Sequence, residues 1–149
     1  MMPPLSARLQ ALVAALPLRP GLRVLEIGCG PGAAARDLCR RIGGGTVLAI
    51  DRSPRAIAQA IAASGPEIAS GQLTFRSIAI EDFALAAGEP PFDLAFAFRV
   101  GAFDGRHPER FDVAIGRLRA ALAPGAPFFI DGGAPLRAID LSPKCQAGR

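Results

Sequence analysis

An α/β fold, doubly wound around a mainly parallel sheet of about five to six strands with helices on both faces, is what this 149-residue chain predicts. Three observations carry that expectation. Short apolar runs alternate with segments of helical spacing, the pattern of a parallel sheet covered on both sides. The first run, Arg23–Ile27, opens directly into a glycine-rich turn, Gly28-Cys29-Gly30-Pro31-Gly32. The second, Thr46–Ile50, is capped by an acid, Asp51. Glycines admit positive φ and let a ligand approach with no Cβ in the way. A carboxylate at the tip of the next strand can accept from both hydroxyls of a ribose. Together these features predict a pocket for a nucleoside cofactor.

The elements follow in order. Apolar residues at Leu5, Leu9, Leu12, Val13 and Leu16 have helical spacing, and Arg8 and Gln10 interrupt them, so residues 5–16 read as an amphipathic helix and not as a signal peptide. After the first strand, Ala33–Ile42 reads as a helix with Leu38, Cys39 and Ile42 inward, ended by Gly43-Gly44-Gly45. Ser53-Pro54 supplies an N-cap and a first-turn proline for a helix reaching Ala63. Gly65-Pro66 reads as a break, Leu73–Ser77 as a third strand, and Ile80–Leu85 as a short helix or turn. Phe92–Phe98 is the fourth strand. Pro108–Leu122 is a helix with Phe111, Ile115, Leu118 and Leu122 on one side, stopped by Ala123-Pro124-Gly125. Phe128–Asp131 is the fifth strand, and Leu136–Leu141 is the sole candidate beyond it.

Composition bounds the function. The length suits one domain, spanning 1–149, with a cofactor half at 22–88 and an acceptor-side half at 89–149. Net charge is +4, and every basic residue except Lys144 is an arginine. Apart from Arg40-Arg41 these arginines are scattered singly, without the stripe that nucleic acid demands. Cys29, Cys39 and Cys145 show no metal-ligand or framework spacing, so no metal is expected. They read as small buried hydrophobes in a reducing cytoplasm. No apolar stretch approaches the roughly 18 residues of a membrane span.

Glu26, Gly28, Gly30 and Gly32 form the pattern acid-x-Gly-x-Gly-x-Gly, and with Asp51 they resemble motif I and the second-strand acid of the class I S-adenosylmethionine (SAM)-dependent methyltransferases. Phe92-Asp93-Leu94 and Leu122-Ala123-Pro124-Gly125 resemble that family's later motifs in the correct order. The rival is the dinucleotide fingerprint Gly-x-Gly-x-x-Gly/Ala, which Ala33 also satisfies. Glu26 argues against it, because a carboxylate beside the turn would repel a pyrophosphate, whereas a methionine ammonium or sulfonium welcomes one. The resemblance covers residues 5–132 and implies a Rossmann-like sheet. One departure stands out: the family's sheet usually gains two more strands after the fifth, the last antiparallel, and only Gly133–Arg149 remains here. An uncovered edge strand invites pairing, so a homodimer through strand five or the tail is expected.

The resemblance also implies site residues. The methionine part of SAM would lie over Gly28, Cys29, Gly30 and Gly32, with Glu26 beneath. Asp51 would hold the ribose, the alternatives being a salt bridge to Arg52 or Arg55 or a cap on the next helix. Arg52 would flank the adenine or be solvated. The family's adenine acid falls on Ala79, leaving Glu81 or Asp82 to substitute, with the Ile80 N–H against the ring. The acceptor would meet the methyl group near Phe98-Arg99-Val100-Gly101. Arg99 would bind an acidic substrate or the cofactor, or pair with a structural carboxylate. His107, the only histidine, is either a general base or a plain loop residue before Pro108. The expected function is methyl transfer from SAM to a small-molecule acceptor. The alternatives are a SAM-binding protein that is inactive or partner-dependent, and an NAD(P)-dependent oxidoreductase.

Overall fold

The computed structural model describes residues 5–142. Six strands form one sheet in the order β3-β2-β1-β4-β5-β6: β1 (Arg23–Ile27), β2 (Thr46–Asp51), β3 (Leu73–Ser77), β4 (Leu94–Ala97), β5 (Phe128–Asp131) and β6 (Leu136–Ile139). The first five are parallel, and β6 runs antiparallel to β5. Because β2 lies on one side of β1 and β4 on the other, the strand order reverses at β1. Their carboxyl ends therefore splay apart around a crevice, the topological switch point where open α/β sheets bind ligands.

Period-two alternation divides the core between the two faces. Val24, Val47, Leu94 and Phe96 pack with helices α1 (Ala7–Ala15) and α2 (Ala33–Arg41), through Leu12, Val13, Leu38 and Ile42. Leu25, Ile27, Leu48, Ile50 and Phe128 pack on the opposite face against α5 (Phe111–Ala121), through Ile115 and Leu118. Glu26 shares the apolar α2 face with Val24, so a carboxyl group sits in the core for one strand position.

Ser53 caps α3 (Pro54–Ala63) as its type predicts, its hydroxyl accepting from Ala56 N at 3.2 Å. Four expectations need correction. The break at Gly65-Pro66 is instead the start of a short helix, α4 (Gly65–Ala69), since proline is tolerated in a first turn. The fourth strand is shorter than the apolar run: Phe92 makes only an isolated bridge to Leu122, and the Asp93 carboxylate takes the Arg23 N–H at 3.0 Å. The helix from Pro108 opens as a 3₁₀ turn, Pro108–Arg110, and Phe111 at the start of α5 is 36% exposed, edge-on to Phe103. Finally, β5 is not an edge. Residues Leu136–Ile139 pair along it, so a dimer contact through strand five is closed, and β3 and β6 are the sheet's edges. The tail, with Lys144 and Cys145, lies outside the described residues.

Candidate functional site

The glycine turn is held to the end of β2 by backbone bonds. Gly28 and Cys29 both donate to Ile50 O, at 2.8 and 3.0 Å. Gly30 N donates to Asp51 Oδ2 at 2.9 Å, while Asp51 Oδ1 accepts from Ser53 N at 2.9 Å. Asp51 thus orients both the turn and the entry to α3, and among the described residues it makes no salt bridge to Arg52 or Arg55. Two oxygens, each with one donor fixed, retain acceptor capacity for hydroxyls.

The three glycines differ in what surrounds them. All have positive φ, at 71°, 53° and 86°. A Cβ on Gly30 would meet open space. One on Gly28 would lie 2.5 Å from Val100 Cγ2, in the segment after β4. One on Gly32 would lie 3.0 Å from Phe75 Cζ and Arg36 Nη1. Gly32 is buried and caps α2, so its missing side chain serves packing and backbone geometry and leaves no room for a ligand. Cys29 points into the core at 7% exposure, where burial, followed by the charges of Glu26 and Asp51, pushes its thiol far up. Burial also raises Cys39, to about 11, so neither thiol is poised as a nucleophile.

Glu26 is 3% exposed, and its Oε1 has no hydrogen-bond partner among the described residues. Burial and then the Asp51 charge lift its carboxyl from the ordinary 4.5 to about 8, against the opposing pull of Arg36. A buried oxygen without a donor is costly unless a donor or cation arrives.

One cleft gathers most of the remaining candidates. Ile27, Gly28, Asp51 and Arg52 form one wall, and Ile78 to Glu81 after β3 form the second. Arg99 to Ala102, with Arg106, His107 and Arg110, form the third. Of the two adenine-side acids, Glu81 lines the cleft and Asp82 does not; Arg117 of α5 holds that turn by donating to Glu81 O at 3.0 Å. Glu26, Cys29, Gly30 and Gly32 are not in the cleft lining. His107 packs on Gly101: a Cβ there would lie 2.5 Å from His107 Cδ2. The His107 backbone donates to Gly101 O at 2.9 Å, and Nδ1 stands 3.3 Å from Glu109 Oε1.

Arg99 has φ 58°, the one positive-φ residue other than glycine among the described residues. Its N–H donates to Asp131 Oδ1 at 3.0 Å and its carbonyl accepts from Arg106 Nη2 at 2.7 Å. Asp131 Oδ2 accepts from Arg8 Nη2 at 2.7 Å. Burial opposes ionisation of Asp131, but the Arg99 N–H and Arg8 outweigh it and hold its carboxyl below the usual range. Sequence reasoning passed over Asp131. The signal was present, because Ile130-Asp131 ends β5 as Ile50-Asp51 ends β2.

Comparison with known proteins chooses between the two readings of the glycine turn. A family model described as a methyltransferase domain matches residues 24–125. A ribosomal RNA large subunit methyltransferase E of Sorangium cellulosum is 36% identical over 119 residues, 74% of this chain and 52% of that protein. A trans-aconitate 2-methyltransferase of Delftia acidovorans is 33% identical over 114 residues, 76% of this chain and 39% of that protein. Among solved structures, an S-adenosylmethionine-dependent methyltransferase from Mesorhizobium loti superposes with a TM-score of 0.66 at 30% identity, over 84% of this chain and 52% of that one. The chain spans about half or less of the length of these relatives. With the match running from β1 to the turn before β5, over the glycine turn and Asp51, this chain belongs to the class I SAM-dependent methyltransferase family.

Proposed function

We propose that this chain binds SAM in the cleft at the carboxyl ends of β1, β2 and β4 and directs its methyl group to a small-molecule acceptor. The observation that carries the reading is Asp51, which lines the cleft and keeps acceptor capacity on both oxygens. Behind the lining, Glu26 is a core carboxyl with an unpartnered oxygen two residues before Gly28. A methionine ammonium at the turn would supply the donor that this oxygen lacks and favour its charged form. Asp51, its oxygens aimed by Gly30 and Ser53, would receive the ribose hydroxyls. The turn at Ile80-Glu81 would wall the adenine, with Arg52 opposite.

When bound, SAM supplies a methyl group already activated on sulfur, so the protein's contribution is to hold the acceptor in line with it. The segment from Arg99 to Ala102 lines the cleft and would face that position. Where the acceptor arrives protonated, His107, its ring seated on Gly101, would take the proton. The trans-aconitate relative supports a small acceptor; the ribosomal RNA relative supports a large one, which scattered arginines fit less well. A second reading is a SAM-binding protein that turns over only with a partner, since a fold and a cofactor site do not by themselves establish chemistry.

Calorimetric titration with SAM, S-adenosylhomocysteine (SAH) and NADH tests the proposal. Micromolar SAH binding without NADH binding is the expected result. A folded protein that binds neither SAM nor SAH overturns it. SAH binding without turnover over a broad acceptor panel, restored by a partner protein, selects the second reading.

A further inference from the structure

The two ends of the cleft carry opposite charge. Asp51 and Glu81, with Arg52 beside them, lie on the walls assigned above to the nucleoside and leave a net negative charge there. Across from them the segment after β4 contributes Arg99, Arg106 and Arg110. The acids on this side are accounted for. Asp104 is taken by Arg106, whose Nε stands 2.8 Å from Oδ2. Asp131 is taken by Arg8 and by the Arg99 backbone. Glu109 faces His107 at 3.3 Å and approaches the Arg110 Nε no closer than 4.0 Å. The Arg99 guanidinium has no carboxylate or carbonyl partner among the described residues, so the alternative of a pairing with a structural carboxylate is not met. Its backbone alone is anchored, at both the N–H and the C=O.

That anchoring gives Arg99 its meaning. At φ 58° glycine is the residue that adopts the conformation without penalty. An arginine there, clamped by Asp131 and Arg106, pays a conformational penalty for a side chain that nothing in the described fold uses. Strained positions of this kind cluster where a ligand must be met. Arg99 is exposed at the cleft lining, and a guanidinium there recognises an oxyanion through paired donors.

We infer that Arg99, assisted by Arg110, forms an anion subsite on the acceptor side of the cleft, and that the acceptor carries a carboxylate or phosphate group apart from its methylated atom. The inference rests on the proposed methyl-transfer reading of the cleft, which it deepens by naming the substrate class. It also separates Arg99 from the cofactor, whose own carboxylate is the competing anion.

His107 lines the same wall and is the chain's only histidine, so its imidazole proton signals report on the subsite without assignment. Sodium citrate and inorganic phosphate are titrated at fixed pH against ionic-strength-matched sodium chloride, with and without saturating SAH. The expected result is a saturable shift of the His107 signals with citrate, phosphate or both, and the tighter of the two names the anion class. Arg99→Gly keeps the backbone conformation, so it folds; it weakens that anion at least tenfold and leaves SAH affinity within twofold. No saturable shift beyond the chloride control overturns the inference, as does an anion affinity that Arg99→Gly leaves unchanged. A tenfold loss of SAH affinity in Arg99→Gly also overturns it, by assigning Arg99 to the cofactor. If the wild type binds no SAH, the cofactor reading fails separately, and the titration without SAH still decides the subsite.

Discussion

The Gly30 N–H donates to Asp51 Oδ2 at 2.9 Å, so the turn after β1 is fastened to the acid that ends β2. One carboxylate sets the shape of the loop and would also bind the ribose. Asp51→Ala removes the bonds to Gly30 and Ser53 together. Charge-assisted hydrogen bonds contribute about 1.5–3 kcal/mol each when lost, so thermal unfolding is expected to shift down measurably. SAH affinity, read by calorimetry, is expected to fall at least tenfold, or about 1.4 kcal/mol. Asp51→Asn keeps one acceptor oxygen and falls between. An Asp51→Ala protein that loses stability yet binds SAH normally confines the residue to its structural bonds.

Glu26 sets a pH dependence whose sign follows from its burial. The folded carboxyl keeps its proton up to about pH 8, whereas the unfolded one releases it near 4.5. Between those values the native state binds more protons, so stability falls as pH rises through the window and levels off above it. Glu26→Gln removes the slope and is expected to be the more stable protein at pH 8, by up to several kcal/mol at about 1.4 kcal/mol per unit. Denaturant midpoints at pH 5 and pH 8 check this. The same group links proton and cofactor: an ammonium beside Glu26 favours its charged form, so SAH binding at pH 7 is expected to release a proton and to tighten toward pH 8. Binding enthalpies in buffers of different ionisation enthalpy measure the release. No buffer dependence would place the ammonium elsewhere.

The division between these residues and the rest reflects what a sequence can encode locally. The parallel core strands were legible because each is a run of apolar residues beside a glycine or an acid, and the cap at Ser53 because its chemistry is confined to one turn. The Gly65-Pro66 helix was missed since proline breaks a helix interior and begins a helix equally well. Phe111 was placed on one side with Ile115 by periodicity, but it stands in the first turn of α5, where it packs edge-on to Phe103 and stays 36% exposed. Within the site, Gly28 and Gly32 look alike in sequence, yet one faces Val100 and the other Phe75, a distinction that only tertiary packing creates. Asp131 acts through Arg8 and Arg99, both far away along the chain, and that coupling has no local trace.

That difference among the glycines is itself testable. Gly32→Ala places a methyl group 3.0 Å from Phe75 Cζ and 3.2 Å from Ala60 Cβ, at φ 86°. Overpacking of this kind costs about 1–3 kcal/mol, added to about 1 kcal/mol for a left-handed alanine. Gly30→Ala incurs the backbone penalty alone, because its Cβ meets open space. Denaturation is therefore expected to rank Gly32→Ala as clearly the less stable. SAH binding is expected to suffer in Gly30→Ala by more than its stability loss explains. Equal stability in the two variants would contradict the packing role of Gly32.

Arg8 and Asp131 join α1 to the end of β5 by a 2.7 Å bond, and Asp131 in turn holds the Arg99 backbone. Arg8 is 58% exposed, so the ion pair itself is screened and contributes about 0–1 kcal/mol. Asp131 is worth more, since it also satisfies the Arg99 N–H in a conformation that arginine disfavours. Arg8→Ala is expected to change stability by less than about 1 kcal/mol, and Asp131→Ala by about 1–3 kcal/mol. A double-mutant cycle between them isolates the shared term. If the Arg99 turn depends on Asp131 alone, anion binding at Arg99 survives Arg8→Ala and is lost in Asp131→Ala. Equal loss in both would mean that α1, through Arg8, sets the geometry of the acceptor wall.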